Sequence, residues 1–188
     1  MNADILSDSE LYDSFRHGDT KAYDRLMIRY GDSLTMYLYG YLHDWHDSED
    51  LMIEAFARIM AKRPGIGEGK FKAYLFRTGR NLASRFHEKS TRISRFSFDE
   101  YDADPADREM VEDLLVNEER REVLRTCLER IDPELREALW LRYFEDMSYA
   151  QVASVMKVNT KKIDHLLQKG KKKLRKELEE EGMTDAYR

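Results

Sequence analysis

A single cysteine, Cys127, stands in 188 residues, so no disulfide can close within the chain and no cysteine-based zinc site can be assembled. It falls on an apolar stripe with Leu124 and Leu128, which predicts a small buried hydrophobe rather than a redox sensor. Proline is scarce too, with 3 residues, and period-two runs of β-branched side chains are missing, which argues against a β fold. No apolar run approaches the ~20 residues needed to cross a bilayer. The opening residues MNADILSDSELYD are acidic, where a secretory signal is basic and then apolar. A soluble, cytoplasmic chain without membrane insertion is expected. Catalytic sets are absent as well: there is no Ser/His/Asp pattern, and GIGEG is not followed by the Lys-Ser/Thr of a phosphate loop. His43 and His46 in HDWH lack a nearby third ligand, so no metal, cofactor or catalytic residue is expected.

What is present is helix-forming and charged. Leu, Met, Ala, Glu, Lys and Arg dominate, 37% of residues are charged and 41% are hydrophobic, which predicts an all-α fold with packed cores. The net charge of −5 argues against nucleic acid only until its distribution is read. Acids crowd the middle, from Asp99 to Glu122, and two basic blocks flank them. One runs from Lys70 to Arg95, and the other is MKVNTKKIDHLLQKGKKKLRK, Met156 to Lys176, whose sole acid is Asp164. The segment FSFDEYDADPADRE carries Pro105 and no helical period, so it reads as a tether. The expected organisation is two small helical domains, 1–92 and 118–188, joined by an acidic linker, 93–117.

Local signals predict four helices in each domain. Ser7 and Glu10 form a capping-box pattern, with a stop near Gly18. Asp19 caps TKAYDRLMIRYGDSLTMYLYGYL, where Leu26, Tyr30, Leu34, Tyr37, Leu38 and Tyr41 recur at helical steps. Asp47 or Ser48 is expected to cap the third helix after HDWH, and the fourth follows the loop RPGIGEG. In the second domain NEERREVLRTCLERI leads to a helix with Asp132 as cap and Pro133 at its first position.

SYAQVASVMKVNTKKIDHLLQ then has the spacing of a helix-turn-helix. Ser148 and Gln151 suit a capping box, small Ala153 permits close helix approach, and KVN supplies the turn before a cap at Asn159 or Thr160. Ile163, Leu167, Gly170, Leu174 and Leu178 share one arc of the second helix, and Lys161, His165, Gln168, Lys169, Lys172 and Lys176 share the opposite one. Thr160, Lys161, Lys162, His165 and Gln168 lie where such a helix meets base edges, while Lys169 and Lys172 suit phosphates. Asp164 opposes phosphate unless it accepts from a cytosine amine or pairs with Lys161 or Lys171. Lys157 occupies a turn position where glycine is usual, at a cost of ~1 kcal/mol.

Read from both ends, the chain resembles bacterial RNA polymerase sigma factors of the extracytoplasmic-function group of the sigma-70 family. SDSELYDSFRHGDTKAYDRLMIRYGDSL, DSEDLMIEAFARIM and FKAYLFRTGRNLAS carry the first half of the resemblance, and LRYFEDMSYAQVASVMKVNTKKIDHLLQKGKKKLR carries the second. The resemblance implies core-polymerase contacts at Asp50, Leu51, Glu54 and Phe56, with Ile53 in place of a usual Gln; Leu51 and Phe56 are equally compatible with core packing. It implies that the following loop and helix melt and hold the minus-ten element as a single strand. Lys70, Phe71, Tyr74, Arg77, Arg80, Asn81 and Arg85 are the implied contacts, with the cations and rings that such binding needs; Phe71 and Tyr74 are equally compatible with core packing. The helix-turn-helix would read the minus-35 element, with Asp164 and Leu166 where relatives often carry Lys and Arg. Core RNA polymerase, promoter DNA and an anti-sigma factor are the implied partners. A free chain is further expected to fold back and cover its core-binding and DNA-binding faces. Rival readings are a helical adaptor or antagonist that binds no DNA, favoured by Ile53 and Asp164, and a stand-alone helix-turn-helix regulator.

Overall fold

The computed structural model describes residues 6–90 and 126–182, and every regular element among them is helical. The expected tether and both expected domain boundaries lie outside the described residues. Four helices build the first bundle: α1 (Asp8–Arg16), α2 (Thr20–Leu42), α3 (Trp45–Lys62) and α4 (Phe71–Ser90). In the second, residues 126–129 are helical and lead to α5 (Pro133–Leu139), which runs on as a π-helical turn over Trp140–Phe144. After it come α6 (Tyr149–Met156) and α7 (Thr160–Glu180).

The caps explain where the helices begin. Ser7 and Glu10 close the expected capping box on α1, and the Asp19 carboxylate accepts from the Lys21 amide at 3.0 Å to open α2. Gly31 and Gly40 leave α2 unbroken. The third helix differs from expectation: Asp44, not Asp47 or Ser48, is its cap and accepts from the Asp47 amide at 2.8 Å. His43 makes this possible by taking the left-handed conformation, φ 53°, so that the chain turns sharply within HDWH. Asp132 precedes Pro133 as expected but forms no side-chain cap, because its carboxylate pairs with Lys173 of α7 instead.

In the first bundle Phe15, Tyr23, Leu26, Leu34, Phe56, Leu75 and Phe76 are buried. From Leu34 to Leu42 every residue of α2 is buried, wider than the single stripe its periodicity predicts. Gly79 permits the close crossing of α4 over α2, since a Cβ there would lie 3.0 Å from Leu34 Cδ1. In the second bundle Cys127 is buried as expected, and Gly170 brings α7 against Leu139. Arg136, 4% exposed, donates to the carbonyls of Leu128, Glu129 and Ile131 at 2.7, 2.5 and 2.9 Å. One buried guanidinium thereby satisfies the carbonyls left open where the preceding helix ends.

Candidate nucleic-acid interface

Three surfaces carry the residues singled out in the sequence. On α3 the periodicity splits the set: Leu51 and Phe56 turn inward and are buried, whereas Asp50 is exposed and Glu54 half-buried. Glu54 accepts from Arg58 Nε at 3.0 Å. Ile53 and Met60 are exposed on the same helix, at 53% and 48%, so the outer face of α3 is acidic and apolar together. That combination suits a protein partner better than a polyanion.

The second surface is α4 with the loop before it. Lys70 and Arg85 are exposed, and Tyr74 and Asn81 are half-buried. Phe71 is 1% exposed, its ring centroid 5.2 Å from that of Tyr12 and 6.2 Å from that of Tyr30. This packing places Phe71 in the core, where no base can reach its ring. The Arg77 guanidinium lies 5.2 Å from the Tyr74 ring centroid, a cation–π contact that holds both side chains at the surface.

Three cations of α4, Lys72, Arg77 and Arg80, are not free, because the second bundle packs against them. Arg80 Nε donates to Glu137 Oε1 at 2.7 Å, and its terminal nitrogen reaches Oε2 at 3.3 Å. The Tyr37 hydroxyl donates to the same Oε1 at 2.7 Å, and Arg80 Nε also reaches the Tyr41 hydroxyl at 3.1 Å. Lys72 Nζ binds Glu145 twice, at the backbone carbonyl (2.6 Å) and at Oε2 (3.0 Å). Arg77 donates to Ser154 at 3.4 Å, and Gln151 of α6 donates to the Gly69 carbonyl at 3.0 Å.

Burial makes these contacts matter. Glu137 and Glu145 are 4% and 6% exposed, so each carboxylate needs its partner. Burial pushes the Tyr37 and Tyr41 phenols well above their ordinary range, with Glu137 adding to it, and both therefore act as neutral donors. Burial acts to weaken the charge on Arg80, but the adjacent Glu137 carboxylate outweighs it and raises the guanidinium further. Glu145 is raised by burial, against the opposing pull of Lys72. The π-helical turn, with the Glu145 amide bonded to the Trp140 carbonyl at 3.2 Å, is what brings Glu145 round to α2 and α4.

The third surface is α7. Asn159 caps it, accepting from the Lys162 amide at 2.8 Å, and Lys157 takes the left-handed turn at φ 58°. Ile163, Leu166, Leu167, Gly170, Leu174 and Leu178 face inward, and Thr160, Lys161, Asp164, His165, Gln168, Lys169 and Lys172 are exposed. Lys162 leans to the flank, where its ammonium meets Glu134 at 2.5 Å. The expected fold-back is thus only partial: it covers Lys72, Arg77 and Arg80 of α4 and leaves Arg85 and the outer faces of α3 and α7 in solvent. Sequence reasoning missed Tyr37, Tyr41, Lys72, Glu137 and Glu145 as members of one cluster. A usable signal was present in MYLYGYL, since buried tyrosine hydroxyls require partners.

Among the described residues no three His, Cys, Asp or Glu side chains converge to hold a metal, and no helix is long and apolar enough to cross a membrane.

Comparison with known proteins adds to this geometry. Residues 26–93 match the family described as Sigma-70 region 2, and residues 121–174 match Sigma-70, region 4. The RNA polymerase sigma-H factor of Pseudomonas aeruginosa is 26% identical over 79% of this chain and 82% of its own length. The ECF RNA polymerase sigma-E factor of Escherichia coli is 25% identical over 80% of this chain and 83% of its own. Among solved structures, CnrH in complex with the cytosolic domain of CnrY is similar, with a TM-score of 0.59 and 20% identity over 90% of this chain and 95% of that one. The sigma factor RpoE in complex with the anti-sigma factor NepR, from Bartonella quintana, has a TM-score of 0.59 and 16% identity, covering 85% of this chain and 98% of that one.

Proposed function

The chain belongs to the sigma-70 family, in its extracytoplasmic-function group, and we propose which of its surfaces perform the transcription initiation that this membership entails. It is a promoter-directing initiation factor whose partners are core RNA polymerase, promoter DNA and an anti-sigma factor, and it has no catalytic chemistry of its own. The outer face of α3, with Asp50, Ile53, Glu54 and Met60, is the core-polymerase surface. Lys70, Tyr74, Arg77, Arg80, Asn81 and Arg85 receive the melted minus-ten strand, with Lys72 added to them. The exposed arc of α7 enters the major groove at the minus-35 element.

The observation that carries this assignment is the clustering of exposed or half-buried cations and Tyr74 on one side of α4, beside a glycine-rich loop. A strand of unstacked bases needs that combination of positive charge and aromatic surface. With the bundles packed together, Glu145 and Glu137 occupy the positions that phosphates would take on Lys72 and Arg80 respectively. The same cations cannot serve both, so promoter opening requires the two bundles to part. The cytoplasm is the compartment in which such a factor meets polymerase.

The test is transcription from a promoter with a premelted bubble, using the purified chain and core polymerase. Initiation at the bubble is expected, together with its loss on combining Arg77→Ala with Arg80→Ala. A chain that neither binds core polymerase nor retains promoter DNA would refute the assignment.

A further inference from the structure

We propose that Asp164 and Gln168 act as one joined reader in α7, selecting an amino base (adenine or cytosine) and rejecting a keto base (guanine or thymine) at a single position of the promoter. The proposal rests on the placement of α7 in the major groove. It goes further by naming the base chemistry that this helix accepts.

The two residues are one turn apart on α7, and Gln168 Nε2 donates to Asp164 Oδ2 at 2.9 Å. An ionised carboxylate can only accept, so this bond fixes the orientation of the Gln168 amide. Its nitrogen faces Asp164 and its Oε1 points away. The pair presents three things outward: the second Asp164 oxygen as an acceptor, Gln168 Oε1 as an acceptor, and the remaining Gln168 N–H as a donor.

Charge along the helix frames this acceptor-rich centre. Lys161 and Lys172 lie on the same exposed arc on either side of it, and neither forms an ion pair among the described residues. The two other lysines near the helix start and middle that do pair, Lys162 and Lys173, turn to Glu134 and Asp132 of the α5 region. Asp164 therefore has Gln168 as its partner, not Lys161 or Lys171, and its negative charge stays directed at whatever the helix meets. Phosphate contacts fall to the flanking lysines, and the carboxylate remains for a base edge.

In the major groove adenine offers an amine donor next to an acceptor, cytosine offers an amine donor, and guanine offers two acceptors. The Gln168 amide, with Oε1 and one N–H free, matches adenine in both bonds. The free Asp164 oxygen matches the amine of cytosine or of adenine. Guanine and thymine place a carbonyl oxygen against a carboxylate, which leaves an uncompensated repulsion at close range.

The experiment selects promoters from a library randomised across the minus-35 region, using polymerase reconstituted with the full chain. For the native chain one position is expected to prefer adenine or cytosine over guanine by roughly tenfold, the scale of a single well-made base contact. With Asp164→Asn the preference at that position should fall to about twofold or less, because an amide can donate to a keto oxygen. With Asp164→Lys it should turn to guanine, and Gln168→Ala should weaken adenine, which loses its bonds to the amide and keeps only the Asp164 contact, while leaving cytosine unchanged. Both positions are solvent-exposed, so these substitutions leave the fold intact. A base profile unchanged by Asp164→Asn, or a native preference for a keto base at the position that responds, overturns the joined reader alone. A library recovered with no sequence preference anywhere in the minus-35 region overturns the reading of α7 as well.

Discussion

Replacing Glu137 by Gln separates the closed arrangement from everything else the chain does. Glu137 sits on α5, and its carboxylate receives Arg80 twice and Tyr37 once, all from the first bundle. The substitution keeps the volume and one carbonyl acceptor, but removes the charge and sets an amide N–H₂ against the guanidinium. Breaking a fully buried ion pair costs about 3–5 kcal/mol. Arg80, however, is 27% exposed, so water reaches it and the cost falls nearer to that of charge-assisted hydrogen bonds, about 1.5–3 kcal/mol. Taking ~2 kcal/mol, the equilibrium between closed and parted bundles moves by about 30-fold toward the parted form.

Three readouts check this value. Small-angle scattering should show a larger particle, and a dye pair placed on α1 and on the far end of α7 should show a longer mean distance. A single-stranded minus-ten oligonucleotide should bind the variant more tightly, because Arg80 and Lys72 no longer have to be uncovered first. Arg80→Ala is the wrong probe, since it opens the latch and deletes a proposed DNA contact together. If Glu137→Gln leaves both the distance and the oligonucleotide affinity unchanged, the latch does not control the closed state.

Glu145 should behave in the opposite way. Its carboxyl is raised by burial more than Lys72 lowers it, so closure favours its protonated form, and closure should strengthen as pH falls from neutrality toward the ordinary carboxyl value of 4.5. Glu145→Gln should abolish that dependence in the dye-pair assay without opening the chain, and a variant that keeps it would contradict the account. Gly79→Ala should destabilise the first bundle by roughly 1–3 kcal/mol in a denaturant titration, because its Cβ would meet Leu34 at 3.0 Å; an unchanged midpoint would refute the close crossing. Lys157→Gly should raise the melting temperature of the second bundle, as φ 58° costs a lysine ~1 kcal/mol that glycine avoids. A lower melting temperature would mean that the flexibility of glycine in the unfolded chain outweighs that relief.

Caps and periodicity were legible in the sequence because each depends on neighbours three or four residues apart. Ser7 with Glu10, Ser148 with Gln151, Asn159 before α7, and the inward arc of Ile163, Leu167, Gly170 and Leu174 are all decided within a turn or two of helix. The start of α3 is ambiguous in sequence because Asp44, Asp47 and Ser48 are all good caps, and the choice falls on the residue beside the left-handed turn at His43. Site residues divide along the same line. Which residues of α7 face outward follows from its own sequence, whereas the fate of Phe71 or Lys162 depends on Tyr12, Tyr30 and Glu134, which are distant in the chain or on another helix. The Glu137 cluster is the extreme case, joining residues 100 positions apart between Tyr37 and Glu137. The segment LREALWL offers an acid at a position that helical spacing leaves ambiguous, and nothing local says that a basic helix will cover it. Yet the pieces are complementary in a way that sequence does record: tyrosines and cations on α2 and α4, two acids on and just after α5. If α4 holds a polyanion as proposed, its cations have to stay unpaired by the first bundle, and that leaves them open to capture by carboxylates elsewhere in the same chain. Cations kept for the proposed DNA contacts are thus what makes such a closed form possible, and the two acids that exploit them are what a reading of helices one at a time cannot find.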